Sequence, residues 1–176
     1  MTANSADPGG GANQNPASTV SHEQSAYDEL SFTLHMRPAS STAVERRQNR
    51  IHEQFSQLVD AETIEDIEMN RWQQKIQVPV ESPSQRRAVE LFDEFRKKTL
   101  QVGGRLEPFF EERSSVSTFF TKESTERILI FPVLCVTVRD DDELVGLYPC
   151  WRDATHHSVG DCLDRLKRGE PVCNLD

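Results

Sequence analysis

The stretch LSFTLHMRP, Leu30 to Pro38, sets Phe32, Leu34 and Met36 against Ser31, Thr33 and His35. That alternation is the period of a half-buried strand, and Pro38 closes it. His35 falls on the polar phase and reads as a solvated strand residue. A helix is expected next. Ser40, Ser41 or Thr42 offers an N-cap, and Val44, Ile51, Phe55, Leu58 and Val59 recur at helical spacing as far as Asp60. In IEDIEMNRWQQKIQVP the alternation of Ile67 with Met69 shifts phase near Arg71 and resumes at Trp72, Gln74, Ile76 and Val78. The pattern predicts two short strands or one bulged strand, with Trp72 as a packing residue.

A second helix has a clear start. Ser82 fits the N-cap, Pro83 fits N1 and Gln85 at N3 completes a capping-box pattern. Ala88, Leu91, Phe92 and Phe95 form its apolar stripe, and Gly103-Gly104 ends it. Residues 105–125 hold four Phe among polar residues and fit short helical turns or a strand. Those Phe are expected to fold onto the sheet; exposed, they would mark an interaction patch. ILIFPVLCVTV then reads as a buried strand with a bulge or break at Pro132. RDDDE is a charged turn and LVGLYP the partner strand. A final helix is expected from Val159 to Lys167, capped by Ser158 with Asp161 at N3 and Gly169 beyond its end. Its stripe is Val159, Cys162, Leu163 and Leu166.

The order β-α-β-α-β-β-α defines an α+β fold of two layers, a largely antiparallel sheet with helices on one face. A ferredoxin-like or winged-helix-like variant is the concrete expectation. The folded domain spans residues 30–171. Residues 1–29 carry four acidic residues, no Lys or Arg, and the run DPGGGANQNPAST. They read as a disordered acidic tail, since so little apolar surface cannot offset chain entropy. Residues 172–176 read as a short C-terminal tail.

Charge narrows the function. The chain of 176 residues has a net charge of −9, which argues against non-specific coating of nucleic acid. Residues 30–100 nevertheless balance eleven basic against eleven acidic residues, so any nucleic-acid surface must be local to them. The first helix carries ERRQNR, in which Arg46 and Arg50 lie one turn apart with Arg47, Gln48 and Asn49 beside them. Arg, Gln and Asn make paired hydrogen bonds to base edges and phosphates. Arg46, Arg47, Gln48 and Arg50, with Arg86 and Arg87 at the start of the second helix, are therefore the candidate nucleic-acid-binding residues. A solvated helix face balanced by Glu45 and Glu53 is the plain alternative.

The remaining chemistry is thin. PCWRDATHHSVGDC places Cys150, His156, His157 and Cys162 within thirteen residues, which raises the question of a metal. A structural zinc site uses short-spaced ligand pairs, and the four Cys contain no CxxC. Cys162 falls on the apolar stripe of the last helix, so its sulfur should enter the core, and Cys150 with His156 or His157 is left as a thiol or metal sensor to test. No metal, cofactor or catalytic group is expected: glycine-rich phosphate loops and a GxSxG elbow are both missing. The start lacks a secretory pattern and no apolar run approaches the roughly 18–20 residues of a membrane helix. The chain thus reads as a soluble, cytoplasmic, non-enzymatic protein.

The segments ERILIFPVLCVTVRDDDELVGLYP and HSVGDCLDRLKRGEP, with SFTLHMRP and DIEMNRWQQKIQVP before them, resemble a family of small haloarchaeal helix-turn-helix-domain proteins of poorly defined function. The resemblance spans about Leu30 to Pro171. Fifteen Arg against five Lys on an acidic chain agree with a saline cytoplasm. The resemblance implies DNA binding or a role in transcription regulation; a winged variant of the expected fold would offer one Arg-rich helix to a groove with the hairpin as its wing. An α+β protein-interaction or ligand-sensing module that does not bind DNA is the second reading, dimeric through a sheet edge or the Phe-rich segment.

Overall fold

The computed structural model describes residues 26–119 and 122–176, and the side chains of residues 115–125 are outside that description. Among the described residues there are three helices and nine strands, and the α+β class holds. Strand β1 (Leu30–Met36) leads into helix α1 (Thr42–Asp60) and strand β2 (Glu68–Arg71). β1 and β2 pair in parallel, so α1 is a crossover that runs back along the sheet. β6 (Leu134–Asp140) pairs antiparallel with β1, and β7 (Glu143–Tyr148) pairs antiparallel with β6. The first sheet has the order β2-β1-β6-β7.

The stretch expected as two short strands or one bulged strand is two strands in different sheets. β3 (Lys75–Val78) pairs with β5 (Lys122–Ile130), and β5 with β4 (Glu111–Phe119), in the order β3-β5-β4. The break at Pro132 is complete: residues 131–133 carry the chain from the second sheet to the first. Phe110 is fully buried and Phe109, partly buried, packs against the same core cluster; the expectation for the side chains of Phe119 and Phe120 lies outside the described residues.

Capping chemistry starts the helices where the sequence placed them. Ser41 Oγ accepts from Val44 N, and Ser82 Oγ accepts from Gln85 N. Gln85 does not complete the reciprocal box; its amide donates to Gln73 Oε1 instead. Helix α3 (Val159–Arg168) has the full box, with Asp161 N donating to Ser158 Oγ at 3.1 Å and Ser158 N to Asp161 Oδ2 at 2.7 Å. Helix α2 (Pro83–Gln101) ends at Val102, followed by Gly103 at φ 72°, a left-handed turn that favours glycine.

The helices do not share one face. Phe32, Leu34, Val136 and Val138 of the first sheet pack with Phe55 and Leu58 of α1 and with the whole stripe of α3. On the other face Cys135, Leu144 and Leu147 pack with Ala88, Leu91, Phe92 and Phe95 of α2 and with Ile76 and Leu129 of the second sheet. The sheet is therefore covered on both sides. This buries His35, which is 3 % exposed and not solvated.

The domain is also longer than 30–171. Tyr27 is buried and its hydroxyl donates to the Glu170 carbonyl at 2.7 Å. The acidic tail before it, residues 1–25, lies outside the described residues. At the C-terminus, residues 172–176 are packed and not a tail. Val172 and Leu175 are buried, and the Asn174 amide bonds both the N–H and the carbonyl of Leu147, at 2.8 and 3.0 Å. That segment covers the edge of β7, whose backbone groups would otherwise be unpaired.

Candidate functional site

Because α1 crosses back from β1 to a parallel neighbour, it begins at the Met36 end of the sheet. Gln48, in its second turn, donates to the carbonyls of Arg37 at 2.8 Å and Val133 at 3.2 Å. The start of α2 lies at the same end, where Ser84 and Gln85 line a small cavity with Pro38 and Arg71. So does the start of α3: Ser158 and Val159 share a cavity of about 380 Å³ with Arg37, Arg47, Phe109 and His156. One end of the sheet thus collects the N-termini of all three described helices, each a partial positive charge.

Arginines reinforce that end. Arg46, Arg47 and Arg50 are exposed on the N-terminal half of α1, Arg86 is exposed in the first turn of α2, and Arg37 and Arg71 close β1 and β2. Several guanidiniums elsewhere pair with carboxylates, Arg96 and Arg127 with Glu112, Arg139 with Glu94 and Arg168 with Glu170, while Arg165 donates to the Pro171 carbonyl and Arg105 lies over the Trp151 ring. Among the described residues Arg46, Arg47, Arg50 and Arg86 have no carboxylate within salt-bridge distance, Glu45 and Glu53 included. Arg37 holds the Phe131 carbonyl at 3.4 Å through Nη1, while its buried Nε has no partner. Sequence reasoning missed Arg37 and Arg71, whose only signal was their position at strand ends.

The opposite end is acidic. Leu30 pairs with Asp140, which brings Asp28 and Glu29 beside the hairpin residues Asp141, Asp142 and Glu143. β1 spans seven residues, so the two ends are about 20 Å apart. The β6–β7 hairpin, expected as a wing, is at this acidic end. It cannot flank the arginines.

Two further candidates change. Gln48 is 6 % exposed and committed to backbone carbonyls, so it is a structural residue that cannot read bases. It sits four residues after Val44 and seven before Phe55, on the apolar stripe, and that position was the signal for its burial. Arg87 turns from the arginine end toward a cleft under α2 and approaches Glu90 at 3.7 Å. The structure therefore brings Arg46, Arg47, Arg50 and Arg86 to one end, buries Gln48 there and turns Arg87 toward the cleft.

The Cys–His stretch forms a small hairpin, β8 (Cys150–Arg152) with β9 (Thr155–His157). Asp153 and Ala154 between them both have positive φ, 48° and 60°, as a two-residue I′ turn requires. Asp-Ala is a weak signal for that turn, which is why the pattern hid it. Cys150 is buried, its sulfur accepts from Asn174 Nδ2 at 3.4 Å, and burial pushes its thiol up to about 11. His156 stacks on Phe109 with ring centroids 4.6 Å apart. Among the described residues no group of three or more His, Cys, Asp or Glu could hold a metal ion.

Fold and charge together define an α+β domain whose sheet has one arginine-rich end carrying the helix N-termini. The chain belongs to a helix-turn-helix domain family, whose model it matches over residues 24–171. Within it, α1 and α2 are separated by residues 61–82 and two strands, so among the described residues no two helices are joined by a tight turn. No curated protein and no solved structure matches the chain. No helix among the described residues is long and apolar enough to cross a membrane.

Proposed function

We propose that the protein is a non-enzymatic DNA-binding regulator whose contact surface is the Met36 end of the sheet. The observation that carries this reading is the set of arginines without carboxylate partners on α1 and α2, at the end where three helix N-termini converge. Membership of a helix-turn-helix domain family supports it. The acidic far end orients the molecule, since its hairpin is repelled by phosphate while the arginine end is drawn to it. The α1 face offers Arg46 and Arg50 one turn apart, a spacing suited to successive phosphates or to base edges in a major groove.

The acidic, Arg-over-Lys composition supports a cytoplasmic setting of high salt. There the Debye length falls to about 3 Å at 1 M, so only close, directional contact binds, and the guanidinium fork supplies it. The experiment is retention of genomic DNA fragments by the full chain at molar KCl, with the double variant Arg46→Ala, Arg50→Ala alongside. Selective retention that the double variant loses is the expected result. Its absence, or retention unchanged by the two substitutions, sinks the proposal.

A further inference from the structure

The face of the first sheet under α2 is not apolar throughout. Toward the Leu30 end it is paved by Ser31, Thr33 and His35 of β1, Asn70 of β2 and Thr137 of β6. β1 and β6 are the two inner strands of that sheet, and inner strands beneath a helix ordinarily present apolar side chains. Here α2 stands off and leaves a cleft of about 600 Å³, within the range of small-molecule sites.

The floor is ordered by a buried relay. His35 stacks on Trp72 with ring centroids 4.7 Å apart. Its Nδ1 lies 2.8 Å from Asn70 Nδ2 and its Nε2 3.0 Å from Thr137 Oγ1. With Asn70 donating to Nδ1, the proton is on Nε2 and is given to Thr137. The Thr137 hydroxyl then has its own proton available for an acceptor in the cleft. Burial lowers the His35 pKa to about 3, so the relay is neutral and fixes hydrogen-bond direction without adding charge.

The charges are unevenly placed along the cleft, and Glu68, two residues before Asn70 on β2, adds a carboxylate to its side wall opposite Thr33. Arg139 is neutralised by a forked pair with Glu94, at 2.6 and 2.7 Å. Arg87 overhangs the Asn70 and His35 end, bound only loosely to Glu90. Asp141 and Asp142 close the hairpin end. From Arg87 to Glu94 α2 rises about 10 Å. A simple anion would meet the hairpin carboxylates, and a simple cation would meet Arg87.

We infer that this cleft binds a small zwitterion of the amino-acid class, with its carboxylate on Arg87 and the Thr137 hydroxyl and its ammonium toward Asp141 and Asp142. The inference stands apart from DNA binding, because its test reads the ligand directly. The full chain is titrated with free amino acids and ω-amino acids of increasing length, by calorimetry and thermal unfolding. Each is compared with its N-acetyl and carboxamide derivatives and with acetate. A binding zwitterion at a hundred times its Kd raises Tm by about 5–10 °C. Arg87→Ala, at an exposed position, weakens that binding tenfold or more without lowering the Tm of the free protein, and the single-charge derivatives bind correspondingly worse. Failure of every zwitterion to bind, equal binding of a derivative lacking one charge, or unchanged binding by Arg87→Ala overturns the inference.

Discussion

Acid should destabilise this protein well before its carboxylates titrate, and His35 is the reason. It is 3 % exposed, between the first sheet and α2, and burial lowers its pKa from 6.5 to about 3, with Arg139 and then Arg87 adding to the effect. An unfolded chain takes up a proton at this position near pH 6.5, and the folded chain does not. Stability is therefore fully present above pH 6.5 and is lost as pH falls toward 3. Each pH unit below 6.5 costs up to about 1.4 kcal/mol, so the loss between pH 7.5 and pH 5 is about 2 kcal/mol. The assay is urea unfolding of the wild type and of His35→Gln at both pH values. The variant is less stable at pH 7.5 because Gln cannot bridge Asn70 and Thr137, but it should lack the part of the pH-dependent loss that His35 contributes. His157 also titrates below its usual range, chiefly from burial; that contribution is common to both proteins and cancels in the difference. Parallel losses in wild type and variant would refute the reasoning and with it the buried neutral relay.

Gln48→Ala should cost about 2–3 kcal/mol, because the carbonyls of Arg37 and Val133 lose their partner; the shift in urea midpoint measures it, and a cost under about 0.5 kcal/mol contradicts the assignment. Ser158→Ala should cost about 1 kcal/mol and Ser82→Ala less, since only α3 has the reciprocal box. Equal losses from the two would show that the extra bond from Ser158 Oγ to Asp161 Oδ2 contributes nothing. Cys150, buried with its thiol pushed up to about 11, should resist alkylation of the native protein at pH 8, whereas the half-buried Cys173 reacts first. Mass mapping of the modified peptides decides the order.

How much was legible follows from which signals are local. The caps at Ser41, Ser82 and Ser158 act within three residues, and each helix begins where its cap predicts. The β6–β7 hairpin was legible because two apolar runs flank a short charged turn. Cys162 was placed in the core by its position on the α3 stripe, and there it is. Arg46, Arg47 and Arg50 were rightly read as exposed. Gln48 beside them was not, because helical periodicity places a residue on a face but does not say which backbone carbonyls wait there.

What tertiary structure alone decided is the second side of the sheet. Alternation in LSFTLHM shows that one phase is apolar, but a polar phase can face either water or another layer. Whether α2 covers it depends on the second sheet, whose strands β3, β4 and β5 join residues up to 55 apart. That packing buries His35 against Trp72 and opens the cleft beside it. The same non-local geometry gathers Arg37, Arg47, Arg71 and Arg86 at one end. The sequence alone determined the elements and their caps, because those interactions close within one turn of chain. The arginine-rich end and the cleft under α2 depend on side chains that meet only after the sheets and helices have packed.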